Sequence, residues 1–258
     1  MWHETNRQKD GTIKRETRFP NRPEELIISG PHFYVGNPLN KTPRSVCKEK
    51  SDYDSIDLTV IPEDYLPRTN YVPAIEIDEY SKRLPRVSWI EPEEIDPYTV
   101  DKYYRLGFRG MVAASNERTI MPTIIPKWAG HINGVQGTAF KSNKKMIMAY
   151  GFTSSIVADF YIKTTGRSNL HFTWHNCPDL KWEPRIALRA LGLACVSSYY
   201  RDLWNDLWQP DFKTDNWTQH KPQLSPFFYA NLRSNWTRAC FPQTHYERRQ
   251  TIVGSYPA

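Results

Sequence analysis

The sequence predicts an α+β fold, in which a mixed or antiparallel sheet domain packs with helices and joins long, proline-rich extended segments. Three observations carry this expectation. The run 117–126 is rich in Thr and Ile and reads as a β-rich segment closed by Pro126. Residues 154–166 and 184–208 carry helix start and stop signals around apolar periodicity. The chain of 258 residues holds 20 prolines, and Pro62, Pro67, Pro73, Pro85, Pro92 and Pro97 forbid long regular elements between residues 58 and 100.

Taken in order, residues 1–30 are polar. Ile27-Ile28-Ser29 opens a short strand, broken by Gly30-Pro31 and ended by Asn37-Pro38. Residues 58–100 read as extended chain able to wrap another domain. A helix is expected over 99–111, because Val100, Tyr103, Tyr104, Phe108 and Met111 share one side and Lys102, Arg105 and Arg109 take the others. Strands are expected at 118–125 and 145–152, with Gly130, Gly134 and Gly137 marking their connection. Thr153 or Ser154 is the expected cap of a helix running to about Thr164, with Gly166 just past its end. A longer helix is expected from Pro184 to Trp208, on the spacing of Leu188, Leu191, Cys195, Tyr199, Leu203 and Leu207. The tail 209–258 is polar and poorly periodic. Three regions follow: 1–100 as an extended linker or docking region, 101–185 as a recognition domain, and 186–258 as a helical C-terminal region.

The net charge of +6 conceals an asymmetry. Residues 51–101 carry four basic and thirteen acidic side chains, and residues 102–185 carry twelve and four. Within 117–170 the count is seven basic against two acidic. A basic middle beside an acidic block makes a directed field suited to a polyanion. An acidic run also reads as a solvated face. Cys47, Cys177, Cys195 and Cys240 lie far apart with no Cys-x-x-Cys pair, which fits reduced thiols. No secretory apolar stretch follows Met1 and no apolar run reaches membrane length, so a cytoplasmic location without a membrane partner is expected.

Chemistry is harder to find. Asn37-Pro38-Leu39-Asn40 departs from the Asn/Asp-Pro-Pro-aromatic tetrad of amino-group methyltransferases, because Leu39 and Asn40 replace the second proline and the stacking ring. His171, His175 and Cys177 place three soft ligands within seven residues but lack an evident fourth, so polar side chains on a strand or loop are the plainer reading. No Gly-x-Ser-x-Gly elbow or phosphate-binding Gly-x-x-x-x-Gly-Lys-Ser/Thr loop occurs. No carboxylate–lysine cluster of nuclease type is convincing. No catalytic or metal residue is assigned. The basic residues Lys127, Lys141, Lys144, Lys145, Lys163 and Arg167, with Asn169, fall in expected loops and helix ends, where side chains reach phosphates. Singly, each lysine reads as a solvated charge; as a cluster they point to DNA. His131, Asn133 and Gln136, on an expected loop over 130–140, are the candidates for base edges.

The order of several segments adds a resemblance. They are Ser29-Gly30-Pro31-His32-Phe33-Tyr34-Val35-Gly36-Asn37-Pro38 with Lys41-Thr42-Pro43-Arg44, then Asp64-Tyr65-Leu66-Pro67-Arg68-Thr69-Asn70-Tyr71-Val72-Pro73, then Glu117-Arg118-Thr119 to Pro126, and Asp159-Phe160-Tyr161 to Arg167. Tyr199-Tyr200-Arg201-Asp202-Leu203-Trp204 and Glu247-Arg248-Arg249-Gln250 complete the series. The chain resembles the C-terminal target-recognition part of large bacterial adenine-N6 DNA methyltransferases, namely the Type IIG-like restriction–modification enzymes and their BREX and DISARM phage-defence relatives. The resemblance implies double-stranded DNA and a methyltransferase catalytic domain or subunit as partners, in a bacterial cytoplasm. It implies S-adenosylmethionine in a parent enzyme and no cofactor in this chain. Because the family's cofactor site lies upstream of such a region, the chain is expected to be a fragment, truncated in its helical end. The alternatives are one subunit of a split methyltransferase, a protein-interaction module using the acidic 51–101 segment, or a non-functional remnant.

Overall fold

The computed structural model describes residues 2–49, 51–166, 169–170 and 181–253. Helices and strands intermix along the chain as an α+β fold. Helix α1 (Glu4–Lys9) leads into β1 (Ile13–Arg18), which pairs antiparallel with β5 (Thr69–Pro73). β2 (Ile27–Ile28) runs parallel to β8 (Gly130–His131), and β3 (Lys41–Pro43) pairs antiparallel with β4 (Tyr53–Ser55). Helix α2 (Ile77–Lys82) follows β5 and buries Tyr80, whose hydroxyl accepts the Trp2 indole N–H at 2.6 Å.

The central element is a three-stranded antiparallel sheet ordered β7 (Pro122–Ile125), β6 (Arg105–Arg109), β9 (Val135–Ala139). Leu106 stands opposite Ile124 on one side and Thr138 on the other. At Gly107 a Cβ would come 2.8 Å from Ile125 Cδ1, so only glycine lets the Ile125 side chain lie across β6. Helix α3 (Asn143–Ser154) packs on this sheet and against α5 (Pro184–Ala194). Helices α4 (Ile156–Thr164), α6 (Arg201–Leu207) and α7 (His245–Val253) complete the set. The main core runs from Leu39, Leu58 and Ile61 through Leu106, Tyr150 and Leu191 to Trp236 and Phe241. Packing therefore crosses residues 100 and 185. Arg238 reinforces the crossing by donating to the carbonyls of Leu58 and Thr59 at 2.9 and 3.0 Å, and to that of Ile61.

Four sequence expectations need correction. The helix expected over 99–111 is a 3₁₀ turn, Val100–Lys102, followed by β6. Arg105, Leu106, Gly107 and Phe108 are all buried, and a strand covered on both faces loses the alternation that identifies strands. Arg105, expected on an outer helix face, is 1% exposed and donates to the carbonyls of Pro126, at 3.2 Å, and Ala129. The strand expected at 145–152 is α3. Ser142 Oγ caps it by accepting the Lys145 N–H, and six consecutive buried residues, Met146 to Gly151, erase its helical periodicity. The single helix expected over 184–208 is two, α5 and α6. Between them the Cys195 carbonyl accepts the Trp236 indole N–H at 2.7 Å, and the Ser198 N–H donates to the Glu63 carbonyl at 2.7 Å. These outside partners take backbone groups that a continuous helix would use itself. Finally, the loop expected over 130–140 is mostly β8 and β9.

The α4 expectation meets the structure closely. Its cap is Ser155, one residue beyond the expected pair, whose Oγ accepts the Ala158 N–H at 3.0 Å. Gly166, at φ 63°, follows the helix end in the left-handed conformation that glycine tolerates. Between 58 and 100, β5 and α2 are the regular elements, and the rest is extended or turning chain.

Candidate nucleic-acid interface

Helix α3 organises the expected basic surface. Lys141 precedes its cap, and Lys144 and Lys145 occupy its first turn; all three are exposed. That turn carries no acidic residue. The uncapped N–H groups and the macrodipole already make this helix end positive, so each lysine there opposes the dipole by about 0.3–1 kcal/mol. Folding gains nothing from such an arrangement, whereas an anion in front of it would. Lys144 Nζ lies 5.5 Å from the Trp182 ring centre, in cation–π range. Exposed Lys181 adjoins that tryptophan in the chain.

Acidic groups bound the patch on two sides. Asn143 Nδ2 donates to Asp206 at 3.0 Å, and Lys127 Nζ stands 3.5 Å from Asp202, one helical turn earlier on α6. On the other side Glu91 feels Lys141. Its carboxyl is held below the usual range chiefly by the hydroxyl of Tyr103, then by the Trp89 N–H, with Lys141 adding to the effect.

The remaining expected residues are placed unequally. Lys127 is half-buried, in its ion pair and 5.1 Å from the Tyr104 ring centre. Lys163 donates to the Asn116 carbonyl at 2.9 Å, at the far end of α4. Asn133 is exposed at the turn between β8 and β9, and Gln136 is half-buried on β9. Asn169 is exposed and bridges to Met111. His131 needs correction as a base-reading residue. It is 3% exposed, its Nδ1 faces the Ile132 carbonyl at 3.0 Å, and its ring lies against Gly137. Burial pushes its pKa well below the ordinary value, so it serves as a neutral packing group. Arg167 lies outside the described residues, as do His171, His175 and Cys177.

Sequence reasoning passed over Trp128. It is 39% exposed and sits at φ 71°, a left-handed conformation rarely taken by a bulky residue. Its N–H donates to the Asp101 carbonyl at 2.6 Å, which holds the turn. The only sequence signal was an aromatic beside a lysine, Lys127-Trp128. A second omission is the outer face of α4, where Ile156, Val157, Phe160 and Tyr161 are 56–68% exposed. Their i, i+1, i+4, i+5 spacing was readable as an apolar stripe.

Asn37 forms a tight turn with Tyr34, helped by Gly36 at φ 64°. Its Oδ1 accepts the Leu39 N–H at 3.1 Å, so the side chain serves the local backbone. Among the described residues no group of three or more His, Cys, Asp or Glu side chains is gathered for a metal, and no helix is long and apolar enough to cross a membrane. In comparisons with protein-family models, curated proteins and solved structures, the chain matches none.

Proposed function

We propose that the chain is a duplex-DNA recognition module that directs an adenine-N6 methyltransferase activity held on a separate domain or subunit. Lys141, Lys144 and Lys145 grip the phosphate backbone, Lys181 extends the grip, and Asn133 and Gln136 are the polar groups offered to base edges. S-adenosylmethionine belongs to the catalytic partner, which flips the selected adenine into its own pocket. The observation that carries the reading is the first turn of α3, where exposed lysines crowd the positive end of a helix dipole without a carboxylate among them. The resemblance of the ordered segments to target-recognition regions supplies the choice of duplex DNA over other polyanions. Fluorescence polarisation with a short duplex at low and moderate salt tests it. Affinity that falls steeply with salt is expected, and a flat titration at low salt removes the proposal.

A second reading, one subunit of a split methyltransferase, is favoured by the apolar outer face of α4. Four large side chains left in water on one short helix suit a permanent partner better than an isolated chain. In that case Phe160→Asp abolishes co-purification with a co-expressed catalytic subunit while duplex binding by the chain alone persists. Co-purification unaffected by the change counts against it.

A further inference from the structure

A cleft of about 220 Å³ opens between the turn at Tyr34–Asn40, Glu117 and Arg118, the start of α4, and α7. Helix α7 gives it His245, Arg248, Arg249 and Ile252, the i, i+3, i+4, i+7 positions of one helix face. Glu247, the one acid on that helix, is turned to the cap. It accepts the Thr244 N–H at 3.0 Å while Thr244 Oγ1 accepts the Glu247 N–H.

The charges do not balance. Arg248 is 5% exposed and donates to the carbonyls of Pro242 at 2.9 Å, Leu193 at 2.6 Å and Gly36, yet its Nε has no hydrogen-bond partner. Among the described residues no carboxylate lies within ion-pair distance of it. Burial lowers its pKa to about 10. Arg118 is matched by Asp159, 3.4 Å away. Arg249 reaches Glu117 at 3.0 Å across exposed surface. A buried cation held by carbonyl dipoles, with Glu247 acting on it only from beyond ion-pair distance, is costly, and it lines a cleft with two more guanidinium groups and a histidine.

We propose that this cleft binds a phosphate group, with Arg249 as a direct ligand, Arg248 as the buried positive charge behind it, and Glu117 as a resident competitor that holds Arg249 when the cleft is empty. Guanidinium forks match phosphate oxygens in pairs, which favours this anion over a small halide. Sites for drug-sized ligands measure about 300–1,000 Å³, so this smaller cleft takes the phosphate group of a ligand and leaves the remainder outside. The proposal needs none of Lys141, Lys144 and Lys145, and it stands or falls apart from the DNA reading.

The test is calorimetric titration of the full chain with inorganic phosphate at constant ionic strength. An exposed ion pair is worth at most about 1 kcal/mol, so Glu117→Gln should tighten phosphate roughly two- to five-fold. Loss of one charge-assisted ligand in Arg249→Gln should weaken it on the order of tenfold or more. Arg249 is largely exposed, and circular dichroism checks that both variants fold. Dimethyl phosphate and a nucleoside monophosphate distinguish the source. Equal binding of the diester supports a nucleic-acid strand as ligand, and preference for the monoester supports a free phosphorylated molecule. The proposal is overturned if wild type and Glu117→Gln both fail to bind phosphate, or if Arg249→Gln binds it as wild type does.

Discussion

Replacing Asp159 by alanine should destabilise the chain by about 3–5 kcal/mol, more than any exposed carboxylate could account for. Asp159 is 5% exposed in α4. Its Oδ1 accepts the backbone N–H groups of Thr119 and Ile120 at 2.7 and 2.8 Å, and its Oδ2 lies 3.4 Å from Arg118 Nε. One carboxylate thus anchors the segment entering β7 to α4. Hydrogen bonds to a charged group contribute about 1.5–3 kcal/mol each. Removing one member of a buried ion pair costs about 3–5 kcal/mol, because the other charge loses its counter-charge; Arg118 would keep only the carbonyls of Ser154 and Ser155, at 2.8 and 2.9 Å. These terms overlap, so the larger range is the estimate. For a chain of this size each kcal/mol moves Tm by roughly 2–4 °C, which gives a drop of about 6–20 °C. Asp159→Asn keeps an acceptor oxygen for the two N–H groups and should lose about half as much. Urea unfolding followed by tryptophan fluorescence measures both variants. A loss below about 1 kcal/mol for alanine would refute the anchoring role, since that is the scale of a surface substitution.

Two further predictions concern the interior. His32 and His131 are buried, and burial sets both pKa values below the ordinary 6.5. In His32 the Nδ1 accepts the Ser29 N–H at 2.9 Å and Nε2–H donates to the Arg68 carbonyl at 2.7 Å, so the neutral ring is fully used. The unfolded chain therefore binds more protons than the folded one below pH 6.5. Stability is fully present above that value and falls as the pH drops, by up to about 1.4 kcal/mol per unit for each histidine. Urea midpoints between pH 6.5 and 5 should decline, and a level profile would contradict the assignment. Gly137→Ala would set a Cβ 2.6 Å from Nε2 of buried His131. A loss of about 1–3 kcal/mol in urea unfolding is expected from overpacking, and a neutral effect would mean that the ring is free to move.

How much of this was legible depended on where each element buries its side chains. α4 was readable because its Ser cap and trailing Gly166 are local signals, independent of packing. α3 was not, because Met146 to Tyr150 are covered on every side, and a short apolar run has the same composition in a buried helix and a buried strand. β6 misled in the opposite direction. Tyr104 and Phe108 fall at helical spacing, but two neighbouring strands claim the backbone of Arg105 to Arg109. The exposed lysines at 141, 144 and 145 could be found from charge alone, whereas the burial of His131 depends on a contact with Gly137 across the β8–β9 turn. The stripe His245, Arg248, Arg249 and Ile252 was present in the sequence as a helical pattern. Its significance depends on distant Gly36 and Glu117, which no local spacing reveals.

The most direct measurement is the salt dependence of duplex binding by wild type and by the triple variant Lys141→Gln, Lys144→Gln, Lys145→Gln. Each phosphate contact contributes about 0.9 to the slope of log affinity against log salt, so losing three should lower the slope by about 2.7. That corresponds to roughly a 40-fold smaller affinity change between 50 and 200 mM salt. Polarisation titrations over that range, with circular dichroism to confirm folding, give the slopes. A salt-dependent wild type with a shallower triple variant is the predicted result. A wild type without duplex affinity at low salt, or a variant with an unchanged slope, would contradict the account.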